Sequence, residues 1–192
     1  MNLIETGIAG AWIAESPVGQ DHRGAFSRLF CANELGEAFG QREIVQINHS
    51  MTRNVGAVRG MHFQYAPHAE MKIVRCLKGR VFDVAVDLRT GSETFMNWEA
   101  VELTPKNNHA FIIPEGCAHG FQVLEEDSQL MYLHTNFYTP GVEGAIKFDE
   151  PKVGVDWPLK PQDLSERDLS HPYLDDDFQG ISICNVATAQ PS

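Results

Sequence analysis

The feature of this sequence that most limits its possible folds is a series of short β-type segments separated by glycine and proline, with no long helical pattern before residue 160. Residues 80–88 (RVFDVAVDL) show the strand pattern most clearly. Every second side chain from Phe82 to Leu88 is apolar, and the other face carries Asp83 and Asp87. Such alternation predicts a strand. Many short strands with regular turn signals are typical of an antiparallel sandwich or barrel.

Other segments repeat this pattern between proline and glycine turn signals. Further strands are predicted at residues 44–50, 72–77, 97–103, 109–113, 120–124 and 129–138, with one or two short strands in residues 1–20 and a turn followed by a strand in residues 21–30. Lys78-Gly79 predicts a hairpin between the strands 72–77 and 80–88. Short helices are predicted in residues 32–39 and from Ser165 onward. From residue 179 we expect a loose tail, in which residues 181–184 pair at most as an edge strand.

The composition is that of a folded globular protein. The 192 residues include 43% apolar and 21% charged side chains, which suits one domain with a sizeable core. We expect a single domain over residues 1–192, with its core at about residues 20–170 and a short helix and tail at residues 160–192. The net charge of −11 argues against nucleic acid or an anionic membrane as a partner.

The cysteines and the N-terminal region indicate a cytoplasmic protein. Cys31, Cys76, Cys117 and Cys184 lie far apart, and no pair has the spacing of a metal clip. Cys76 lies in a strand pattern and is predicted to be a small buried residue. A reducing cytoplasm is the expected location. The apolar run at residues 8–14 is too short to span a bilayer and follows no Lys or Arg, so we reject a signal peptide and a transmembrane helix.

Residues 55–89 carry more charge than a strand-rich stretch of a soluble protein usually does. Arg59, His62 and Lys72 lie there among β-forming residues, and His119 follows in the motif PEGCAHGF. Charged groups are costly to enclose without partners. If their strands line one cavity, that cavity is cationic inside an acidic protein and suits a phosphate-bearing ligand. His62 is the candidate base, although a lone strand histidine is more often structural.

Histidines in an all-β domain also fit a metal site. A cupin-type site needs two histidines one residue apart, an acidic residue and a further histidine. Here Gln64 stands at the partner position of His62, and amides are weak ligands for zinc or iron. Glu70 with His119, or the nearby His68, would have to complete such a site. The pattern therefore favours acid–base chemistry by side chains, and we expect no bound metal.

Eight motifs in order along the chain resemble the dTDP-4-dehydrorhamnose 3,5-epimerase family, the metal-free cupin-fold epimerases of nucleotide-sugar metabolism. They are DHRGAF (21–26), VQINHS (45–50), VRGMHFQ (58–64), KIVRC (72–76), GRVFDVAVDLR (79–89), IPEGCAHGF (113–121), YLHTNFYTP (132–140) and VDWP (155–158). The resemblance implies an all-β, cupin-type double-stranded β-helix (a jelly-roll sandwich) with a few short helices, mainly near the C-terminus. It also implies a homodimer.

The resemblance further implies a reaction on a 4-keto-6-deoxy hexose carried by a nucleoside diphosphate. The C3 and C5 protons are acidic because each carbon adjoins the C4 ketone. A base removes one proton to give an enolate, and an acid returns a proton to the opposite face, which inverts C3, C5 or both. An epimerase of this type converts dTDP-4-dehydro-6-deoxyglucose to dTDP-4-dehydrorhamnose and needs no metal or other cofactor.

Four catalytic roles follow from the resemblance. His62 is the base, and Asp168 in the motif LSERD orients its ring and raises its basicity. Tyr132 protonates the enolate from the other face, and Lys72 stabilises the C4 oxyanion. Each has a simpler alternative. Asp168 suits a first helical turn after a Ser165 cap, Tyr132 suits a core aromatic, and Lys72 suits a strand end that reaches solvent.

The resemblance also implies a set of substrate contacts. They are Arg23, Phe26, Gln46, Asn48, Arg59, His119, Phe137 and Tyr138. Arg23 and Arg59 match diphosphate ligands. Phe26 and Phe137 are candidates for packing on the base or the sugar, with burial in the core as the alternative. His119 matches a second cavity histidine, with Asp83 as its partner.

Three positions depart from the family pattern. Leu133 and Phe137 stand where members commonly carry lysine and tyrosine, and Arg28 stands where they commonly carry glutamate near the base pocket. We therefore expect an altered recognition rim. The alternatives are a 3- or 5-monoepimerase acting on another nucleotide sugar, a metal-dependent cupin isomerase or dioxygenase, and a module that binds a nucleotide sugar without turning it over.

Overall fold

The computed structural model describes residues 1–183, which fold almost wholly into strands. The strands are β1 (Asn2–Glu5), β2 (Trp12–Glu15), β3 (Val18–Asp21), β4 (Gly24–Ser27), β5 (Gln46–Thr52), β6 (Val58–Gln64), β7 (Lys72–Lys78), β8 (Val81–Asp87), β9 (Trp98–Leu103), β10 (His109–Ile113), β11 (Cys117–Val123), β12 (Ser128–His134) and β13 (Glu143–Ala145). The helices are α1 (Gly36–Phe39) and α2 (Glu166–Ser170).

Two antiparallel sheets form the body of the fold, and a two-stranded ribbon stands apart from them. One sheet has six strands in the order β1-β2-β10-β7-β12-β5, and the other has five in the order β13-β6-β11-β8-β9. The ribbon consists of β3 and β4, which pair with each other. Neighbouring strands run antiparallel throughout. The all-β, cupin-type jelly roll expected from the sequence is confirmed.

The predicted hairpin at Lys78-Gly79 is wrong. β7 pairs with β10 and β12 in the six-stranded sheet, whereas β8 pairs with β11 and β9 in the other sheet. The link at Gly79 therefore carries the chain from one sheet to the other. Gly79 has a φ of +80° there, and a Cβ atom would lie 2.3 Å from the Ser128 hydroxyl. Alternation predicts that two strands exist but does not show whether they pair with each other.

Alternation along the strands produces three hydrophobic clusters. The first lies between the sheets, where Val74 of β7 and Phe121 of β11 both contribute. The second covers the outer face of the six-stranded sheet and joins Ile73 to Phe39 of α1. The third covers the outer face of the five-stranded sheet, against which Trp157 packs. The space left between the sheets at one end of the first cluster forms the site described below.

The two faces predicted for β8 are confirmed. Val81 and Ala85 lie in the cluster between the sheets, and Val84 and Val86 lie in the cluster on the outer face. Asp83 shares the inner face and is fully buried. A buried carboxylate there needs a partner, which the site supplies.

The short helices and the tail differ in part from expectation. α1 is shorter than predicted, because residues 32–35 form turns, but it ends before Gly40 as expected. Ser165 caps α2, and its side chain accepts a hydrogen bond from the Asp168 backbone N–H (3.0 Å). Ile181 is 7% exposed and forms an isolated bridge with Arg89, so the edge pairing allowed for residues 181–184 is confirmed at that residue. Cys184, the last residue of the possible edge strand, lies outside the described residues.

Among residues 1–183, no helix is long and apolar enough to cross a membrane. The three cysteines in this range, Cys31, Cys76 and Cys117, are not in disulfides. Cys76 is buried, as predicted. Its burial raises the pKa of the thiol to about 11, which is the behaviour of a structural cysteine.

Candidate active site

A cavity opens between the two sheets, and the residues predicted to be catalytic gather around it. Its larger part has a volume of about 270 Å³ and its smaller part about 150 Å³. Both parts are lined by Asn48, His62, Lys72 and His134. The larger part is also lined by His49, Ser50, Arg59, His119, Phe121 and Tyr132, and the smaller part by Gln46, Phe63, Gln64, Glu70, Tyr138 and Glu143.

His62 and Asp168 form a hydrogen-bonded pair at one wall of the cavity. The neighbours of His62 on β6, Met61 and Phe63, fill the cluster on the outer face, so alternation turns His62 inward. Its Nε2 atom lies 2.7 Å from Oδ1 of Asp168. An ionised carboxylate can only accept hydrogen bonds, so we assign the ring proton to Nε2 and leave Nδ1 unprotonated. Nδ1 is then free to take up a proton.

The Asp168 carboxyl is held in its ionised form. Burial disfavours the charge, but the hydrogen bond from His62 and contacts with Ser165 and the Gly60 backbone outweigh it, so the pKa of Asp168 lies below its ordinary value of 3.8. The negative charge of the Asp168 carboxylate, which accepts a hydrogen bond from Nε2–H of His62, stabilises the imidazolium cation that forms when Nδ1 is protonated. Asp168 therefore lies in the first helical turn, where Ser165 caps its backbone N–H, and also contacts His62 through its side chain.

Lys72 reaches the same wall from the six-stranded sheet. Its Nζ atom lies 3.1 Å from the His62 carbonyl oxygen and 3.3 Å from Oε1 of Glu70. The residue is 8% exposed, so the interpretation of Lys72 as a strand end that reaches solvent is wrong. The carboxylate of Glu70 makes the burial of the ammonium tolerable. The ammonium group of Lys72 therefore lies beside His62, a position that suits the stabilisation of an oxyanion.

Tyr132 lies on β12 and faces His62 from the other sheet. Its ring packs against the cluster between the sheets, and its hydroxyl lies 3.2 Å from Oγ of Ser50. Burial raises the pKa of Tyr132 above its ordinary value of 10.0. The phenol is therefore protonated at neutral pH and can donate a proton. The candidate base His62 and the candidate acid Tyr132 thus line the same cavity from different sheets.

A second histidine–carboxylate pair borders Tyr132. His119 on β11 is the register partner of His62 on β6, and its Nε2 atom lies 2.9 Å from Oδ1 of Asp83. The predicted partnership of His119 and Asp83 is therefore confirmed. Burial raises the pKa of Asp83 above its ordinary value of 3.8, against the lowering effect of His119. The His119 and Tyr132 ring centroids are 6.0 Å apart at an interplanar angle of 72°.

Four of the other predicted substrate contacts also line the cavity. Gln46 and Asn48 share one face of β5, and Nε2 of Gln46 donates to Oδ1 of Asn48 (3.2 Å). Arg59 lies at the larger part of the cavity. Tyr138 lies at the smaller part, where its hydroxyl donates to Oε2 of Glu143 (3.1 Å). Polar donors and acceptors therefore surround the four catalytic candidates.

Three predicted substrate contacts lie outside the cavity of their own chain. Arg23 and Phe26 belong to the β3–β4 ribbon, where the Arg23 guanidinium pairs with Asp21 (2.6 Å) and Phe26 is 79% exposed. Phe137 follows β12 and is 61% exposed. The ribbon makes no strand pairing with either sheet, so the local pattern alone could not bring it to the cavity.

The structure also shows where two of the residues that depart from the family pattern lie. Leu133 neighbours Tyr132 on β12 and therefore points to the opposite face, where it is 3% exposed and packs near α1. The expectation that this position alters the recognition rim is wrong. Arg28 is exposed and pairs with Glu34, outside the cavity of its own chain.

Ser50 and His134 are two of several lining residues outside the predicted site, and strand alternation places both on the cavity face. Ser50 continues the face of β5 that carries Asn48, and its hydroxyl contacts Tyr132. His134 lies two residues after Tyr132, and its Nε2 atom is 3.4 Å from Nδ2 of Asn48. Burial, together with the charges of nearby Lys72 and His119, lowers the pKa of His134 to about 4. The imidazole of His134 is therefore neutral at pH 7.

The cupin metal set considered from the sequence does not assemble. Nε2 of Gln64 donates to Oε2 of Glu70 (2.8 Å), and Nδ1 of His68 contacts the Thr139 hydroxyl (3.2 Å). His119 is occupied by its carboxylate partner. A different group, made of His62, Asp168 and His171, brings three possible ligand atoms close together. His171 follows α2 directly and carried no signal in the sequence beyond its closeness to Asp168.

The jelly roll and the cavity between its sheets, lined by His62, His119 and Tyr132, fit the class of cupin-type isomerases. The family model for dTDP-4-dehydrorhamnose 3,5-epimerase matches residues 5–176. The chain belongs to this family.

Individual relatives agree over nearly the whole chain. The dTDP-4-dehydrorhamnose 3,5-epimerase of Shigella flexneri is 40% identical over 180 residues, which are 93% of this chain and 99% of the relative. The crystal structure of dTDP-6-deoxy-D-glucose-3,5-epimerase from Legionella pneumophila Philadelphia 1, in complex with dTDP-4-keto-L-rhamnose, has a TM-score of 0.87 at 36% identity and covers 95% of this chain and 98% of its own. The dTDP-4-dehydrorhamnose 3,5-epimerase from Elizabethkingia anophelis NUHP1 has a TM-score of 0.86 at 38% identity, with 93% and 98% covered.

Proposed function

We propose that the protein epimerises C3 and C5 of dTDP-4-dehydro-6-deoxyglucose to give dTDP-4-dehydrorhamnose. The observation that carries the proposal is the opposition of a base and an acid: His62, paired with Asp168 at 2.7 Å, faces Tyr132 across the cavity. Membership of the epimerase family supports the same activity. So does the Legionella relative, which was solved with a dTDP-linked keto sugar bound.

In the first step His62 removes a proton from a carbon next to the C4 ketone. The electrons of the C–H bond move into the ring to form an enolate, and negative charge develops on the C4 oxygen. The proton goes to Nδ1 of His62, and the resulting cation is stabilised by Asp168. Lys72 stabilises the oxyanion, because its ammonium lies beside the base and is held there by Glu70.

In the second step Tyr132 returns a proton to the other face of the same carbon. The enolate electrons form the new C–H bond, the ketone is restored and the configuration is inverted. Tyr132 is then a phenolate and His62 a cation, so each must exchange one proton with solvent before the other carbon is inverted and again before the next turnover. Ser50 stabilises the phenolate through its hydroxyl (3.2 Å). His62 and Tyr132, together with solvent, account for every proton.

The diphosphate is bound by arginine, against the net charge of the protein. The chain carries −11 overall, yet Arg59 and Lys72 line the cavity. Gln46, Asn48 and Tyr138 supply neutral hydrogen-bonding groups for the sugar and the nucleotide. Guanidinium groups match phosphate oxygens in geometry and charge.

We also propose that the chain is a single domain and forms a cytoplasmic homodimer. Phe26 on the ribbon is 79% exposed, and Ile47 and Met51 on β5 are 62% and 46% exposed. β5 is an edge strand of the six-stranded sheet, and such an edge can accept a partner. Arg23 and Phe26 lie away from their own cavity, so we assign their substrate contacts to the cavity of the partner chain.

Proton NMR in D₂O tests the proposed reaction with dTDP-4-dehydro-6-deoxyglucose as substrate. The signals of the C3 and C5 protons should disappear as deuterium enters, and the doubly inverted product should accumulate. Full proton intensity at both carbons after long incubation would rule out this reaction.

Parallel runs with the CDP and UDP analogues of the substrate show which nucleotide the enzyme prefers. A further run with chelator distinguishes the proposed reaction from that of a metal-dependent cupin enzyme, because only the metal-dependent enzyme would lose its activity when chelator is added.

A further inference from the structure

Three possible metal ligands meet behind the catalytic base. One ring nitrogen each of His62 and His171 and a carboxylate oxygen of Asp168 lie within 4.8 Å of one another. The two imidazole centroids are 6.3 Å apart, at an interplanar angle of 70°. Asp168 lies in α2 and His171 directly follows that helix, so one short segment supplies two of the three groups.

His171 has an unused nitrogen. Its Nε2 atom is buried and has no hydrogen-bond partner among residues 1–183. Most buried polar atoms in folded proteins are hydrogen-bonded, and an unpaired one needs an explanation. The nitrogen lone pair of a neutral imidazole is a metal ligand as well as a hydrogen-bond acceptor.

We infer that His62, Asp168 and His171 form a binding site for Zn²⁺, and that the bound ion switches the epimerase off. Two imidazoles and one carboxylate are a common ligand set for zinc, with the fourth tetrahedral position left to water. Zinc–ligand bonds of about 2.0–2.2 Å place tetrahedral ligand atoms about 3.3 Å apart. The three ligand atoms already lie within 4.8 Å of one another, so side-chain rotations can bring His171 closer and widen the 2.7 Å gap between His62 and Asp168.

Binding moves the ring proton of His62 from one nitrogen to the other. Zinc takes the position that the proton holds between Nε2 of His62 and Asp168. Nε2 gives up its proton to solvent and Nδ1 takes one up, so the neutral imidazole binds the ion through the Nε2 lone pair. Nδ1 then carries a proton and cannot accept one from the substrate. The inhibition therefore rests on the proposed function of His62, whereas the binding of the ion does not.

Metal binding and inhibition are measured separately on the full-length protein. Co²⁺ serves as a spectroscopic substitute for zinc, because its visible absorption bands strengthen in a tetrahedral site, and Zn²⁺ added afterwards should remove them. Zinc inhibition of epimerisation is titrated in wild type and in His171→Ala and His171→Gln, each relative to its own activity in chelator. His109→Ala is the matched control, because His109 pairs with one carboxylate among residues 1–183, that of Glu15 at 3.4 Å.

The expected result is a tetrahedral cobalt spectrum in wild type and in His109→Ala, and a lost spectrum in both His171 variants. The zinc concentration for half-inhibition should rise about tenfold or more in the His171 variants, and chelator should restore wild-type activity. Equal zinc sensitivity in wild type and both His171 variants, or no cobalt spectrum in wild type, overturns the site. A cobalt spectrum that zinc abolishes without any inhibition overturns the switch and the assignment of His62 as base.

Discussion

Tyr132 is the residue whose proposed role differs most from its simplest alternative. As a core aromatic it would contribute only packing, yet its hydroxyl faces the cavity, contacts Ser50 and is kept protonated by burial. In Tyr132→Phe the packing remains and the proton is lost. We expect deuterium exchange from D₂O to survive at a carbon next to the ketone, while net inversion falls by about 10²–10⁴-fold. Equal losses of exchange and inversion in proton NMR would contradict the separate role of Tyr132.

Asp168 supports His62 through its charge. In Asp168→Asn the side chain keeps its shape, but the amide cannot hold Nε2–H and stabilise the cation equally well. We expect kcat to fall by about 10²–10⁴-fold. Glu166→Gln is the matched control, because Glu166 is an exposed acidic residue in the same first turn. A similar loss of kcat in both variants would show that the helix terminus, and not the pair, is responsible.

The Asp168 carboxylate also affects how the stability of the protein depends on pH. The pKa of Asp168 is below its ordinary value of 3.8 in the folded protein. Its contribution to the free energy of unfolding is therefore complete above pH 3.8 and is lost as the pH falls through the lowered value. When urea unfolding is measured as a function of pH, the free energy of unfolding should fall less at acid pH in Asp168→Asn than in wild type.

At the scale of elements, the approach of β6 to β11 sets the position of both histidine pairs. Gly60 and Gly120 meet where the register shifts between His119 and Phe121. A Cβ atom on Gly120 would lie 2.5 Å from Sδ of Met61 and 2.8 Å from the Arg59 carbonyl oxygen. Gly120→Ala should lower the free energy of unfolding by about 1–3 kcal/mol and also lower kcat.

Gly36→Ala is the control for that prediction. Apart from its chain neighbours and the backbone of its own helix, no atom of residues 1–183 lies within 4 Å of a Cβ atom built on Gly36, at the start of α1. We expect urea unfolding to show a change of less than about 1 kcal/mol in this variant, since Ala suits a helix at least as well as Gly. A Gly120→Ala protein as stable as Gly36→Ala would contradict the tight contact between β6 and β11.

Strand patterns predicted the elements better than their pairing. Residues 80–88 alternate as a strand should, and both faces of β8 are as expected. The partner of β8 could not be read from that pattern, because two-residue alternation is the same in a hairpin and in a link between sheets. The short strand β13 was missed because three residues carry too little alternation to be recognised.

Only part of the site could be predicted, because its residues come from segments that lie far apart in the sequence. His62, Lys72 and Tyr132 come from three strands, and Asp168 comes from a helix more than a hundred residues after His62. Only the collinear family motifs related these segments from the sequence. His171 had no such motif, and its closeness to His62 depends on how the segment after α2 folds back. Long-range packing is absent from local patterns, so its consequences had to be seen in the structure.

At the scale of the whole molecule, the proposed homodimer predicts that two inactive chains can restore each other. His62→Ala lacks the base and Arg23→Ala lacks a diphosphate contact that we assign to the partner's cavity. A mixed dimer then contains one cavity with both residues intact. Equal amounts of the two variants, mixed after reversible unfolding, should recover about a quarter of wild-type activity at low substrate concentration. Activity no greater than the sum of the two variants would place Arg23 at its own chain's cavity.

The most direct test of the central claim, that His62 removes the substrate proton, is deuterium exchange in the His62→Ala protein. In D₂O, wild type should replace the C3 and C5 protons of dTDP-4-dehydro-6-deoxyglucose with deuterium. His62→Ala should lose at least about 10²-fold of this rate at both carbons, while its urea unfolding curve confirms that it is folded. Exchange at the wild-type rate in folded His62→Ala protein would contradict the account, because another residue would then be the base.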